Sequence, residues 1–100
     1  MMRMKPLVNC LGVKPEILLA LMVACEVYNE FGIDMTVTSL TDSKHGAHSH
    51  HYKGLAVDLG VVGMNADQVE ECRKEIQRRV CSQYQVINEK NHIHIEYDPA

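Results

Sequence analysis

His92-Ile93-His94-Ile95-Glu96-Tyr97 carries two characters in one short run. Side chains of a β-strand alternate between two faces. Ile93 and Ile95 therefore mark a face suited to a core, while His92, His94 and Glu96 share the other. A second run, Gly54 to Val62, reads the same way: Leu55, Val57 and Leu59 on one side, Gly54, Ala56 and Asp58 on the other. If the two strands are neighbours, Asp58 and His94 converge on the sheet's open face, and His51, just upstream, reaches the same point from a loop.

All six histidines of the chain fall in two segments, His45 to His51 and His92 to His94. That bias points to metal-ligand chemistry. Two imidazoles and one carboxylate, here His51, His94 and Asp58, leave a fourth tetrahedral position open, the arrangement of a catalytic rather than a structural zinc. Zinc suits these donors better than magnesium or calcium, which prefer oxygen, although ligand type alone leaves iron and nickel open. Gly54 and Ala56, small and beside Asp58, leave room for a ligand to approach. His45, His48 and His50 lie in the same loop at no motif position and read as solvent-exposed.

The remainder is scaffold. Residues 1–13 have no clear period, with Leu7, Val8 and Leu11 as a short apolar lead-in. Lys14-Pro15-Glu16 opens a helix, since proline's missing N–H does no harm in the first turn. Ile17, Leu18, Leu21, Cys25, Tyr28 and Phe31 follow at helical spacing, and Leu19, Ala20, Met22 and Val23 widen the stripe until the helix is apolar nearly all round, predicting a buried one. Gly32 is placed to end it in a left-handed conformation. Met35-Thr36-Val37-Thr38 predicts a strand, and residues 41–53 a polar loop of functional length.

Beyond the 54–62 strand, Gly63-Met64-Asn65 is a turn, and Asn65 with Gln68 predicts a capping box. Val69, Cys72, Ile76 and Val80 mark an amphipathic helix whose charged outer face, Glu70 to Arg79, reads as solvated surface. Tyr84 to Ile87 and His92 to Tyr97 form a closing hairpin around Asn88-Glu89-Lys90-Asn91. The order predicts an α+β domain with a small, mostly antiparallel sheet and helices packed on one face.

One hundred residues, 46% hydrophobic and 23% charged, suffice for a single small domain, residues 1–100, with one modest core. A net charge of −3 argues against a nucleic-acid partner. The basic start Met1 to Lys5 has no apolar run behind it, and no stretch is long enough to cross a membrane, so the expectation is a chain that is cytoplasmic as synthesised, with no membrane partner. Cys10, Cys25, Cys72 and Cys81 have no paired spacing and read as buried free thiols.

Ser49-x-His51-x-x-Gly54-x-Ala56-x-Asp58 resembles the SxHxxGxAxD motif of zinc metallopeptidases of the D-Ala-D-Ala carboxypeptidase and phage endolysin type, and His92-Ile93-His94 resembles their terminal HxH. The stretch from His51 to Asp58 with His92 to Ile95 is most similar to the hedgehog version of that fold, and the likeness covers roughly residues 36–97. The resemblance implies a hedgehog/DD-peptidase-like fold and one zinc ion on His51, Asp58 and His94. It also implies a His92 that stabilises the oxyanion or relays a proton, and a Ser49 that orients a ligand.

The chain departs from the family at two places. Where relatives of that type carry a Glu or Asp before the last ligand, it offers Asn88 or Asn91, and asparagine cannot take a proton. Glu89 stands one residue away and becomes the candidate base, with His92 acting alone as the other option. The substrate-holding arginine that many members carry after the first strand is absent from Thr38 to Lys44, and Lys44 replaces it only in part because it cannot form a bidentate fork.

The expected function is hydrolysis of a peptide bond in peptidoglycan stem peptides, by a D-Ala-D-Ala carboxypeptidase or endopeptidase reaction. The small size fits a phage enzyme that lysis releases to the cell wall. The alternative is a zinc-binding interaction domain of the same fold that has lost turnover and has a protein partner.

Overall fold

The computed structural model describes residues 2–4, 14–40 and 55–98. Five strands, β1 (Met2–Met4), β2 (Met35–Ser39), β3 (Ala56–Gly60), β4 (Tyr84–Asn88) and β5 (His92–Tyr97), and two helices, α1 (Pro15–Glu30) and α2 (Ala66–Arg79), make an α+β unit. The strands form one mixed sheet in the order β1-β2-β3-β5-β4. β1 runs parallel to β2, and every other pairing is antiparallel. The last strand therefore lies between β3 and β4, away from either edge.

The alternation read from the sequence sorts the sheet into two faces. Met35, Val37, Val57, Leu59, Val86, Ile93 and Ile95 are buried in one core cluster with Ile17, Leu21, Ala24, Val27 and Tyr28 of α1 and Val69, Cys72 and Ile76 of α2. Both helices thus cover the same face. Tyr28 donates its hydroxyl to the Gly60 carbonyl at 2.9 Å, fastening α1 to the end of β3. Tyr84 donates to the Glu16 carbonyl at 2.7 Å, fastening β4 to the first turn of α1.

Local chemistry sets the helix ends. Pro15 occupies the start of α1, and Gly32 follows its last turn at a φ of 75°, where a Cβ would be strained. At α2, the Asn65 side chain accepts from the Gln68 N–H at 2.8 Å while the Gln68 side chain accepts from the Asn65 N–H at 2.9 Å. The expected capping box is present.

Four sequence expectations are corrected. α1 is not buried all round: Leu18, Leu19 and Met22 are 47%, 60% and 66% exposed. A helix lying on one sheet face buries only the side turned to it, whatever its composition. The N-terminal stretch, read as lacking any element, contains β1, whose three exposed residues carry no period of their own and are ordered by pairing with β2.

The charged face of α2 is more than solvated surface. Arg73 binds the Glu70 carboxylate and donates to the Val86 carbonyl of β4 at 3.2 Å. Arg79 joins Glu75 on its own helix to Glu26 and Glu30 of α1 at 2.6–2.9 Å. The thiols also differ in burial: Cys72 is buried, Cys25 is half-buried and Cys81 is exposed, all three free, while Cys10 lies outside the described residues. Burial pushes the Cys72 thiol up to about 12, so it stays protonated and inert. Among the described residues no helix is long and apolar enough to cross a membrane.

Candidate metal centre

The face of the sheet opposite the helices holds the polar cluster. In the β3–β5 register Asp58 stands directly across from His94, Ala56 from Glu96 and Gly60 from His92. Because both strands alternate with period two, the register that buries Val57 and Leu59 against Ile93 and Ile95 necessarily puts Asp58, His92, His94 and Glu96 together on the other side. A one-residue slip would send the histidines into the core, so packing the apolar face fixes the polar one.

His94 is gripped from both ends. Its Nδ1 is 2.8 Å from Asp58 Oδ1, and its Nε2 is 2.9 Å from Glu96 Oε1. All three side chains are largely buried, at 16%, 14% and 17% exposure. A neutral imidazole has one N–H and cannot donate to two carboxylates at once. Two anionic groups about one ring call for a cation, either a proton on the ring or a metal at one nitrogen. The hydrogen bond that the ring donates to Asp58 is the largest influence raising the His94 pKa above its ordinary value, burial opposes it, and the bond to Glu96 adds to the rise.

His92 is the next donor. Its Nδ1 is 2.6 Å from the side-chain oxygen of Asn91, and its Nε2 is 3.6 Å from Asp58 Oδ1. Donation of Nδ1–H to Asn91 leaves Nε2 turned towards the Asp58 carboxylate, as a second nitrogen beside the same oxygen. Asp58 thus lies between two imidazoles. The donor set, imidazole nitrogens about a carboxylate, matches zinc or another borderline transition cation and not a hard oxygen-seeking one. Asp58 and His94 are the described side chains that could contribute to holding such an ion, with His92 beside them.

Of the expected site residues, Asp58, His92 and His94 are brought together. Ser49, His51 and Lys44 lie outside the described residues, as do His45, His48 and His50. Among the described residues no three His, Cys, Asp or Glu side chains form a group that could by itself hold a metal. A metal at this cluster would require a further donor from outside the described residues.

Glu89 is exposed at the tip of the β4–β5 hairpin. Its main chain bonds to the turn, with its N–H donating to the His92 carbonyl at 3.0 Å and its carbonyl accepting from the Asn91 N–H at 2.9 Å. Asn88 donates to Glu70 of α2 at 3.1 Å and caps the Lys90 N–H at 2.8 Å, so it braces the hairpin.

The residue that sequence reasoning undervalued is Glu96. Its place on the histidine face follows from the period-two alternation, but alternation alone says nothing of how deeply it is enclosed. β5 proves to be an interior strand, with Ala56 on one side of Glu96 and Gln85 on the other, and the carboxylate is confined against His94.

Comparison of the chain with protein-family models, with curated proteins and with solved structures returned no match.

Proposed function

We propose that the chain is a zinc-dependent peptidase of the hedgehog/DD-peptidase fold, hydrolysing peptide bonds in peptidoglycan stem peptides. The observation that carries this reading is the cross-strand pair of Asp58 and His94, with His92 Nε2 facing the same carboxylate, on the sheet face away from the core. In this reading His51, Asp58 and His94 hold one zinc ion, which, when bound, would supply Lewis-acid polarisation of the scissile carbonyl and a more acidic water.

The chain's own residues do the rest. Asn91 fixes the His92 proton on Nδ1, so Nε2 is the atom that takes a proton from the attacking water and returns it to the leaving amine. In its protonated form His92 would then stand as a donor towards the developing oxyanion. Glu89, carried on the hairpin tip one turn from His92, is the second candidate for accepting that proton. Ser49 would orient a ligand and Lys44 would attract the substrate's carboxylate.

The position of Glu89 favours a second reading. An exposed tip carboxylate with asparagines on either side of the hairpin, at residues 88 and 91, is a weak arrangement for a general base. A domain that keeps the metal and the fold but binds a protein partner without turnover would look the same.

The test is digestion of purified peptidoglycan and synthetic D-Ala-D-Ala peptides by zinc-loaded protein, read by mass spectrometry with a chelator control. Chelator-sensitive cleavage supports the peptidase and identifies its bond. Zinc binding with no cleavage of either substrate supports the interaction domain.

A further inference from the structure

The Glu96 carboxylate has no part in the ligand set proposed above, yet it is held 2.9 Å from the far nitrogen of His94. We propose that Glu96 is the positioning residue of the metal site: it accepts the Nε2–H of His94 and thereby fixes the tautomer in which Nδ1 is the metal-binding nitrogen. This inference rests on the metal reading and deepens it.

The argument is geometric. Nδ1 is the nitrogen turned to Asp58, so an ion shared by Asp58 and His94 must bind at Nδ1. That nitrogen must then present its lone pair, and the ring's remaining proton must sit on Nε2. Glu96 Oε1 is where that N–H points.

The strand supplies the reach. His94 and Glu96 are two residues apart on one face of β5, and Ala56, directly across from Glu96, is too small to interpose a side chain. Ala56 and Glu96 lie on the face away from the helices, and Ala56 is fully buried there, so the contact is sheltered from bulk water. A carboxylate on the outer N–H also makes the ring a stronger donor and stops it rotating away from the ion. Loss of such a partner ordinarily costs about 10–100-fold in metal affinity.

The experiment titrates the full metal-free chain with Zn2+ alone against a competing colorimetric chelator, for the unsubstituted protein and for Glu96→Ala, Glu96→Gln and Asp58→Asn. Long-range 1H–15N spectra of the His94 ring report which nitrogen carries the proton. Glu96→Ala is expected to weaken zinc binding by about 10–100-fold and, where the metal-free ring is neutral, to move its proton from Nε2 to Nδ1, where Asp58 accepts it. Glu96→Gln, which keeps an oxygen acceptor of the same reach, is expected to retain most of the affinity and the tautomer, and it carries the test if the alanine variant does not fold.

Unchanged affinity in Glu96→Ala, or a glutamine variant no better than alanine, would overturn the role assigned to Glu96 while leaving the site itself in place. An unsubstituted chain that binds no zinc, or an Asp58→Asn variant that binds as tightly as the parent, would instead overturn the metal reading, and this role with it.

Discussion

Asp58 and His94 are directly opposed on adjacent antiparallel strands, with a carboxylate oxygen 2.8 Å from Nδ1. In the metal-free protein this pairing, with Glu96 behind the ring, holds the His94 pKa above the ordinary histidine value. A folded pKa that is raised contributes stability that is fully present below the unfolded histidine pKa and is lost as pH rises through the folded one. The metal-free chain is therefore expected to lose stability on the alkaline side of the ordinary histidine pKa. Bound zinc, taking the place of the proton, should remove that dependence. Histidine NMR titrations and chemical denaturation with and without chelator check both statements, and Asp58→Asn should bring the His94 pKa down.

The two candidate proton carriers separate by substitution. His92→Ala is expected to lower turnover of a stem-peptide substrate by about 10²–10⁴-fold, the usual contribution of a positioned acid or base. Glu89→Gln, altering an exposed hairpin tip, is expected to lower it by much less. Steady-state rates at saturating zinc measure both, and a collapse in Glu89→Gln alone would reassign the base to Glu89.

Tyr28 is fully buried and donates to the carbonyl at the end of β3. Its pKa is pushed far up, first by burial and then by Cys72, so it remains a donor at any physiological pH. Tyr28→Phe should destabilise the fold by about 1–3 kcal/mol, the range for leaving a buried acceptor unpaired. Urea unfolding measures it. Because Gly60 lies opposite His92, zinc affinity should fall alongside stability.

Arg79 ties the two helices together through Glu26, Glu30 and Glu75. The Arg78 guanidinium first, and that of Arg79 second, hold the Glu75 carboxyl down to about 2, and Arg79 lowers Glu30 as well. Depressed carboxylate pKa values contribute stability that is present above the ordinary carboxylate range and is lost as pH falls through the folded values. Arg79→Met is expected to flatten the acid limb of the unfolding curve, with an effect that shrinks in high salt because these groups face solvent. Acid denaturation at two ionic strengths checks it.

Period-two alternation made the site's geometry readable before the structure: Asp58, His92 and His94 on one face, Val57, Leu59, Ile93 and Ile95 on the other. What it could not supply was position within the sheet. Glu96 looks like a surface residue until β5 is known to have a strand on each side, and that is a matter of non-local pairing. β1 was invisible for the same reason, since Met2 to Met4 becomes a strand only through its partner Met35 to Val37. The exposed Leu18, Leu19 and Met22 are the converse case. Their apolar character predicts burial, but only the number of layers in the fold decides whether anything covers them. The capping box of α2 and the left-handed Gly32 were legible because their physics is confined to a few consecutive residues.

The interior placement of β5 also gives the site an order of assembly. Asp58 and His94 are 36 residues apart in sequence, and the intervening chain must fold into α2 and β4 before β5 has both of its flanking strands. Asp58 on β3 therefore gains His94 across from it only when β5, the last of the described strands, has paired. If the pair holds an ion, as proposed, binding would act as a latch on a finished sheet, because a chain whose last strand is mispaired presents Asp58 without His94.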